Sequence, residues 1–261
     1  MNIPRIIPIQ TITTETPYIK TITFEDSKTI NPGQFYMIWI PDIDEIPMSV
    51  SKITKKTKSI TFKKIGDATN ALFNLRKGDL LGIRGPLGNN YTPQGNNLLF
   101  VGGGTGIAML APAIEQATKQ QRHTTVIIGA QNKKDLLFEK RFKLHVDNLF
   151  ITTDDGSKGF KGYASDLAQQ LIEKNTYEGI LTCGPEPMMK NLLDTCNTHS
   201  IPYQASLERY MKCALGICGQ CTIGNGQRVC IDGPIFTGDQ LTNFTDFGHY
   251  KRDASGKKIK I

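Results

Sequence analysis

Four of the six cysteines of this chain fall in one run, Glu208 to Cys230, which reads ERYMKCALGICGQCTIGNGQRVC. Cys213, Cys218, Cys221 and Cys230 are spaced C-x4-C-x2-C-x8-C. Thiolates are soft donors, and three on one tight loop with a fourth on a later segment is the spacing that ligates a 2Fe-2S cluster. Such a loop folds its sulfurs inward while its amides face them, so it needs small residues that accept left-handed dihedrals. Ala214, Gly216 and Gly219 stand where that is required. A structural zinc site also closes on four thiolates, although zinc sites usually carry two short Cys pairs. A disulfide framework is disfavoured: Cys183 and Cys196 are scattered and the opening MNIPRIIPIQ has no secretory pattern. Cluster and zinc both stay open, with the spacing favouring the cluster.

Two further groups of elements must position this loop. LLFVGGGTGIAMLAPAIEQA begins with an apolar strand, Leu98 to Val101, and passes through Gly102 to Gly106 into a helix. A strand, glycine loop and helix in that order present backbone N–H groups and the positive end of a helix dipole to a diphosphate. The Gly-Lys-Ser/Thr ending of a triphosphate-binding loop is absent. Strands at Thr124 to Ala130, Leu149 to Thr153 and Gly179 to Cys183 alternate with helices at Ala164 to Glu173 and from Met188, which predicts a parallel sheet. Gly103 to Gly106, Asp154 to Ser157 and Cys183-Gly184-Pro185 end three of these strands, the edge where a parallel sheet binds its ligand.

Before the sheet, short alternating strands at Thr11 to Ile22, Gln34 to Ile40, Lys58 to Ile65 and Leu80 to Arg84 are broken by Gly and Pro turns. They predict a small antiparallel barrel, with one short helix at Asp67 to Leu75. PGQFYMIWIP, IPMSVS and KKIGDATNAL pair turn residues with hydroxyls inside this region, as a ligand-holding barrel mouth requires.

The formal charge is +7, with Lys-rich stretches at Lys52 to Lys64 and Lys251 to Lys260. A bound cluster adds about −2 and a dinucleotide about −2 more, which leaves a mildly basic particle rather than a nucleic-acid binder. Lysines alternating with Ile53, Ile60 and Phe62 read as a half-buried strand with a solvated face. No apolar run is long enough to span a bilayer, so a cytoplasmic protein is expected.

A barrel followed by a nucleotide sheet carrying GGGTGIAML and CGPEPMM resembles the ferredoxin-NADP reductase superfamily. With ERYMKCALGICGQC and RVCIDGPIF appended, the chain is identified, end to end, as a member of the family of electron-transfer subunits of dihydroorotate dehydrogenase B, in its archaeal form. The resemblance implies a multi-domain β plus α/β fold: an FAD-binding antiparallel β-barrel over residues 1–94, an NAD-binding α/β domain over 95–203 and a small 2Fe-2S domain over 204–261. It implies that Pro47, Met48, Ser49, Phe62, Lys63 and Lys64 line the flavin, with Gly66, Ala68 and Thr69 near its phosphates. Ile46 stands where the family carries an arginine, so its role is expected to fall to backbone amides or to a lysine, Lys63 or Lys64. Gly103, Gly104, Thr105, Gly106, Asp154, Cys183, Gly184 and Pro185 are the implied nicotinamide dinucleotide residues, and the four cysteines of the loop the implied cluster ligands.

The function implied is electron transfer from the FMN of a catalytic partner subunit, through the cluster and FAD, to NAD in de novo UMP synthesis, in a heterotetramer with two copies of each subunit. No residue is expected to act as a covalent catalyst. Cys183 is read as a positioning residue, Cys196 as filler, and the four histidines as unrelated to metal. The competing readings are a related reductase subunit serving a hydrogenase or sulfite reductase, and a zinc-stapled module without enzymatic activity. Asp154 and Asp155 favour NAD over NADP, against Lys133 and Lys134.

Overall fold

The computed structural model describes residues 3–261; residues 1 and 2, where the first predicted domain begins, lie outside the described residues. Six strands close the barrel: β1 (Arg5–Thr16), β2 (Ile19–Glu25), β3 (Phe35–Ile40), β4 (Asp44–Ile53), β5 (Thr57–Lys63) and, after helix α1 (Asp67–Asn74), β6 (Leu80–Leu87). Their order around the barrel is β1-β2-β5-β4-β3-β6. Ile22, Phe24, Tyr36, Ile38, Ile60, Leu81 and Ile83 fill the interior at alternate positions along their strands. Closure leaves no open sheet edge.

Three expectations need correcting here. Thr11 to Ile22 is not one strand: the chain turns at Pro17 and Tyr18, and β1 pairs with β2 as a hairpin, because Pro17 has no N–H for a ladder. IPMSVS is not a turn region but the body of β4, paired along β3 from Phe35↔Ser49 to Ile40↔Asp44. The lysine stretch is not wholly solvated, because Lys58 is only 1% exposed. Its ammonium donates to the carbonyl oxygens of Asp26 (2.7 Å) and Thr54 (2.8 Å), which makes burial of the charge tolerable. Nearby, Asp26 accepts both guanidinium nitrogens of Arg5 (2.9 and 2.7 Å) and the Tyr36 hydroxyl (2.6 Å). Burial pushes the Asp26 carboxyl up, but Arg5 and Tyr36 outweigh it and hold it at about 2.

The remaining chain builds a seven-stranded sheet. In chain order it runs β7 (Asn97–Gly103), α2 (Gly106–Lys119), β8 (His123–Ala130), α3 (Glu139–Phe142), β9 (Asn148–Thr153), β10 (Phe160–Lys161), α4 (Ala164–Lys174), β11 (Gly179–Cys183), α5 (Glu186–His199) and β12 (Tyr203–Ser206). The thiol segment follows: β13 (Thr222–Ile223), β14 (Gln227–Arg228), β15 (Ile235–Thr237), α6 (Gly238–Thr242), β16 (Tyr250–Arg252) and β17 (Lys258–Lys260). The sheet order β10-β9-β8-β7-β11-β12-β15 reverses direction between β7 and β11, the switch point at which open parallel sheets bind ligands. Helix α5 starts at Glu186, two residues before the predicted Met188, since Pro185 already serves as its cap.

β15 pairs antiparallel with β12, so the thiol segment supplies the last strand of the sheet. Asn89, just past the barrel, fixes that strand: its side chain donates to the carbonyl oxygens of Asp232 (3.1 Å) and Ile235 (2.8 Å) and accepts the Ile235 amide (2.9 Å). One apolar core joins all three parts, from Phe35, Met37 and Leu87 through Leu99 and Val101 to Cys221, Ile223, Val229 and Cys230.

Candidate functional site

A cavity of about 460 Å³ lies between the barrel and the sheet. The barrel wall contributes Phe35, Pro47, Met48 and Ser49, then Thr61, Phe62 and Lys63, with Thr69 from α1. Thr105 and Met109 close the sheet side, and the strap Leu207 to Met211 closes the third. Apolar and aromatic side chains with several hydroxyls, and the lysines Lys63 and Lys251 among the charged lining, fit a large planar heterocycle with a polar end. Among the flavin residues implied by the sequence, Pro47, Met48, Ser49, Phe62, Lys63 and Thr69 line this cavity; Lys64, Gly66 and Ala68 do not. Lys64 turns away because it follows β5 on the opposite side, where its ammonium lies 5.5 Å from the Phe73 ring centre. Ala68 packs against the barrel core, and Gly66 begins α1, with the Thr69 hydroxyl accepting the amides of Ile65 (2.9 Å) and Gly66 (3.0 Å). Of the two lysines expected to replace a cation at Ile46, only Lys63 lines the cavity.

The strap was not foreseen as a cavity wall. Arg209 is buried there against Glu186 at the start of α5, and the Glu186 carboxylate also accepts the Gly248 amide (2.9 Å). Nor was the cavity contact of Lys251 and Arg252, which return from β16.

At the carboxyl edge of the sheet, the glycine loop interlocks with the Cys183 loop. A Cβ on Gly106 would collide with the Cys183 carbonyl, and one on Gly103 would meet Met188 Sδ and Pro185 at 2.8 Å. Gly104 has φ +56° with open space beside it, and its amide donates to the Gly129 carbonyl (2.8 Å). Cys183 and Cys196 are both buried. Burial pushes the Cys183 thiol well above the ordinary range, opposite to the shift that activates a nucleophilic cysteine.

The two opposing nucleotide-selectivity signals meet in one place. The Asp154 amide donates to the Ala130 carbonyl (3.1 Å), and the Lys133 amide donates to the Ser157 hydroxyl (2.8 Å), so the β9 loop and the β8 loop are tied together. Partial burial and the adjacent Asp155 raise the Asp154 carboxyl.

The thiol loop follows the strap directly. Ala214, Gly216 and Gly219 take φ of 52°, 74° and 69°, the left-handed turns expected of a ligand loop. The Cys213 sulfur accepts amide hydrogens from Leu215 (3.4 Å) and Cys218 (3.5 Å). Burial raises this thiol, but the amides of Cys218, Leu215 and Ile217 outweigh it and bring it down to about 6. The β13–β14 hairpin turns through Gly224, Asn225 and Gly226 and returns Cys230 beside Cys221. Amides aimed at sulfur stabilise a thiolate, the form in which a cysteine ligates a metal. Among the described residues no group of three or more His, Cys, Asp or Glu side chains is drawn together for a single ion. Arg84 of β6 joins this loop to the barrel: it donates to the Cys213 carbonyl (3.0 Å) and holds Glu45 through two nitrogens (2.9 and 2.6 Å).

Comparison with known proteins agrees with this geometry. Residues 208–242 match the iron-sulfur cluster binding domain of dihydroorotate dehydrogenase B, and residues 100–194 match an oxidoreductase NAD-binding domain. A chain of Methanocaldococcus jannaschii named "Probable dihydroorotate dehydrogenase B (NAD(+)), electron transfer subunit" is 44% identical, covering 99% of each chain. A chain of the same name from Methanothermobacter thermautotrophicus is 40% identical, covering 99% of this chain and 98% of its own. Among solved structures, a chain of NADH-dependent reduced ferredoxin-NADP oxidoreductase superposes with a TM-score of 0.83 at 28% identity, covering 92% of this chain and 91% of that one.

Proposed function

The chain belongs to the family of dihydroorotate dehydrogenase B electron transfer subunits, and on that premise we propose that it carries electrons from an FMN-containing catalytic subunit, through a 2Fe-2S cluster and FAD, to NAD in de novo pyrimidine synthesis. Residues 1–94 would serve as the flavin domain, 95–203 as the NAD domain and 204–261 as the cluster domain. The observation that carries the reading is continuity: the strap leaves the cavity at Met211 and reaches the first thiol at Cys213, while Arg84 ties that residue's carbonyl back to the barrel.

FAD in this cavity would supply the exchange between two-electron hydride chemistry and the one-electron chemistry of a cluster. Pro47, Met48, Ser49 and Phe62 would orient its ring system, with Lys63 and Thr69 turned to its polar part. Gly103, Gly104, Thr105 and Gly106 would hold the NAD diphosphate at the start of α2, with Gly184 and Pro185 shaping the neighbouring loop. Cys213, Cys218, Cys221 and Cys230 would ligate the cluster, and the Leu215 and Cys218 amides would stabilise negative charge on Cys213 sulfur. Cys183 would hold the glycine loop in place from beneath.

The catalytic partner would dock over the thiol loop, where Leu215 (49% exposed), Ile217 (80%), Ile231 (42%) and Cys218 are exposed. An assembly of two copies of each subunit is proposed, in the cytoplasm; among the described residues no helix is long and apolar enough to cross a membrane. Co-expression with the FMN-containing partner tests the reading. Co-purification and dihydroorotate-dependent NADH formation are expected, and heat-released flavin from this chain alone should chromatograph as FAD. Release of FMN alone, or capture of the chain by a hydrogenase or sulfite reductase instead, would refute it.

A further inference from the structure

The β16–β17 hairpin lines the cleft, through Lys251, Arg252, Asp253 and Ile259, yet no part of the reading above uses it. It is anchored at both ends. At its base the Ile261 amide donates to the His249 carbonyl (3.0 Å), and the nearby Gly248 amide donates to buried Glu186 (2.9 Å). At its tip the Gln220 side chain, inside the thiol loop, donates to the Asp253 carbonyl (2.6 Å). These bonds supply the outside support that a lone two-stranded hairpin needs to hold its shape.

The charges around the cleft point to what this wall faces. The barrel side contributes one cation, Lys63. Arg209 is committed to Glu186. Of the acids, Asp253 is turned into its own loop, accepting the amides of Ser255 (2.9 Å) and Lys257 (3.1 Å), while Glu208 of the strap has its carboxyl raised by desolvation and by Glu186 against the opposing pull of Lys251. Lys63 and Lys251 have no ion pair or side-chain hydrogen bond among the described residues, and Arg252 donates to the Gly256 carbonyl (2.9 Å) with the rest of its fork uncommitted. A cleft walled by three available cations, with apolar side chains and hydroxyls between them, suits a ligand that is flat at one end and carries a diphosphate of about two negative charges.

Resting on the flavin reading of the cleft, we propose that Lys251 and Arg252 of the hairpin are binding residues for the flavin dinucleotide, clamping its diphosphate opposite Lys63. Because the tip is bonded to Gln220, flavin retention is mechanically coupled to the thiol loop.

The test uses the full chain with its cluster, and the variants K251Q/R252Q and K251R/R252K. FAD affinity is measured by fluorescence titration of flavin-stripped protein at low and high salt, riboflavin affinity is measured beside it, and iron and sulfide content are followed. The Gln pair should bind FAD about tenfold or more weakly, with a flattened salt dependence, while riboflavin affinity and iron content hold. The charge-keeping pair should stay near the parent. FAD affinity within about twofold of the parent in the Gln pair, or an equal loss for riboflavin, would overturn the assignment. A parent chain that binds riboflavin and FAD equally well would overturn the diphosphate clamp alone, whereas one that binds no flavin would overturn the cleft reading with it.

Discussion

Replacing Glu186 with Ala should be among the most damaging single changes outside the core. The Arg209 side chain is 2% exposed, and its partner carboxylate on Glu186 is 9% exposed. In Glu186→Ala the guanidinium keeps the Glu208 carbonyl (2.8 Å) and loses its one ion-pair partner among the described residues. Breaking a buried pair from one side costs about 3–5 kcal/mol, because the remaining charge has nothing to offset its desolvation. The Gly248 amide loses its acceptor in the same change, worth about 1 kcal/mol more. At roughly 2–4 °C per kcal/mol for a chain of this size, the transition should fall by on the order of 10 °C. The double variant Glu186→Leu/Arg209→Met removes both charges and should return most of that loss, since an apolar pair of similar volume is often neutral. Calorimetry of the cluster-loaded protein at neutral pH is the assay. A single variant within about 1 kcal/mol of the parent, or a double variant as unstable as the single, would refute the reasoning.

Serine at Cys213, Cys218, Cys221 or Cys230 should lower bound iron and sulfide, and full content in all four variants would reject the ligand set. The kcat/KM ratio for NADH over NADPH with an artificial acceptor should exceed one and fall in Asp154→Ala; a ratio at or below one contradicts the selectivity reading. Asp26, held at about 2, contributes stability that is present above the ordinary carboxylate range of about 3.9 and is lost as the pH falls from there toward 2. Asp26→Asn should therefore be less stable at neutral pH and show a flatter acid limb in a pH series of urea titrations. Cys183, buried with its thiol pushed up, should resist alkylation in the folded chain and react only after unfolding, as followed by mass spectrometry.

Local pattern carried most of the fold. Period-two alternation marked the barrel, and the apolar runs Leu98 to Val101 and Thr124 to Ala130 marked buried parallel strands. The thiol loop was legible because its spacing and its small residues are set by ligand geometry over a short span of chain. What escaped the sequence depends on partners far along the chain. Lys58 reads as solvated until the carbonyl oxygens of Asp26 and Thr54 enclose it. Arg209 reads as the lead-in to a cysteine motif until α5 brings Glu186 beneath it. Lys251 reads as part of a basic stretch until β16 returns it to the cleft. Lys63 and Lys64 are chemically alike, and only the end of β5 decides which of them faces the cavity.

The pairing of β15 with β12 has a consequence for how the chain is made. β12 ends at Ser206 and β15 begins at Ile235, with all four loop thiols between them. During synthesis β12 stands with a bare row of amides and carbonyls until Ile235–Thr237 leaves the ribosome and caps it. An uncapped edge of this kind recruits strands from other molecules. A metal clip within the intervening segment shortens the loop that must close and lowers its entropic cost. Iron supply would then govern solubility of the nascent subunit as well as its redox competence: chains made in iron-starved cells should accumulate as aggregates joined through β12.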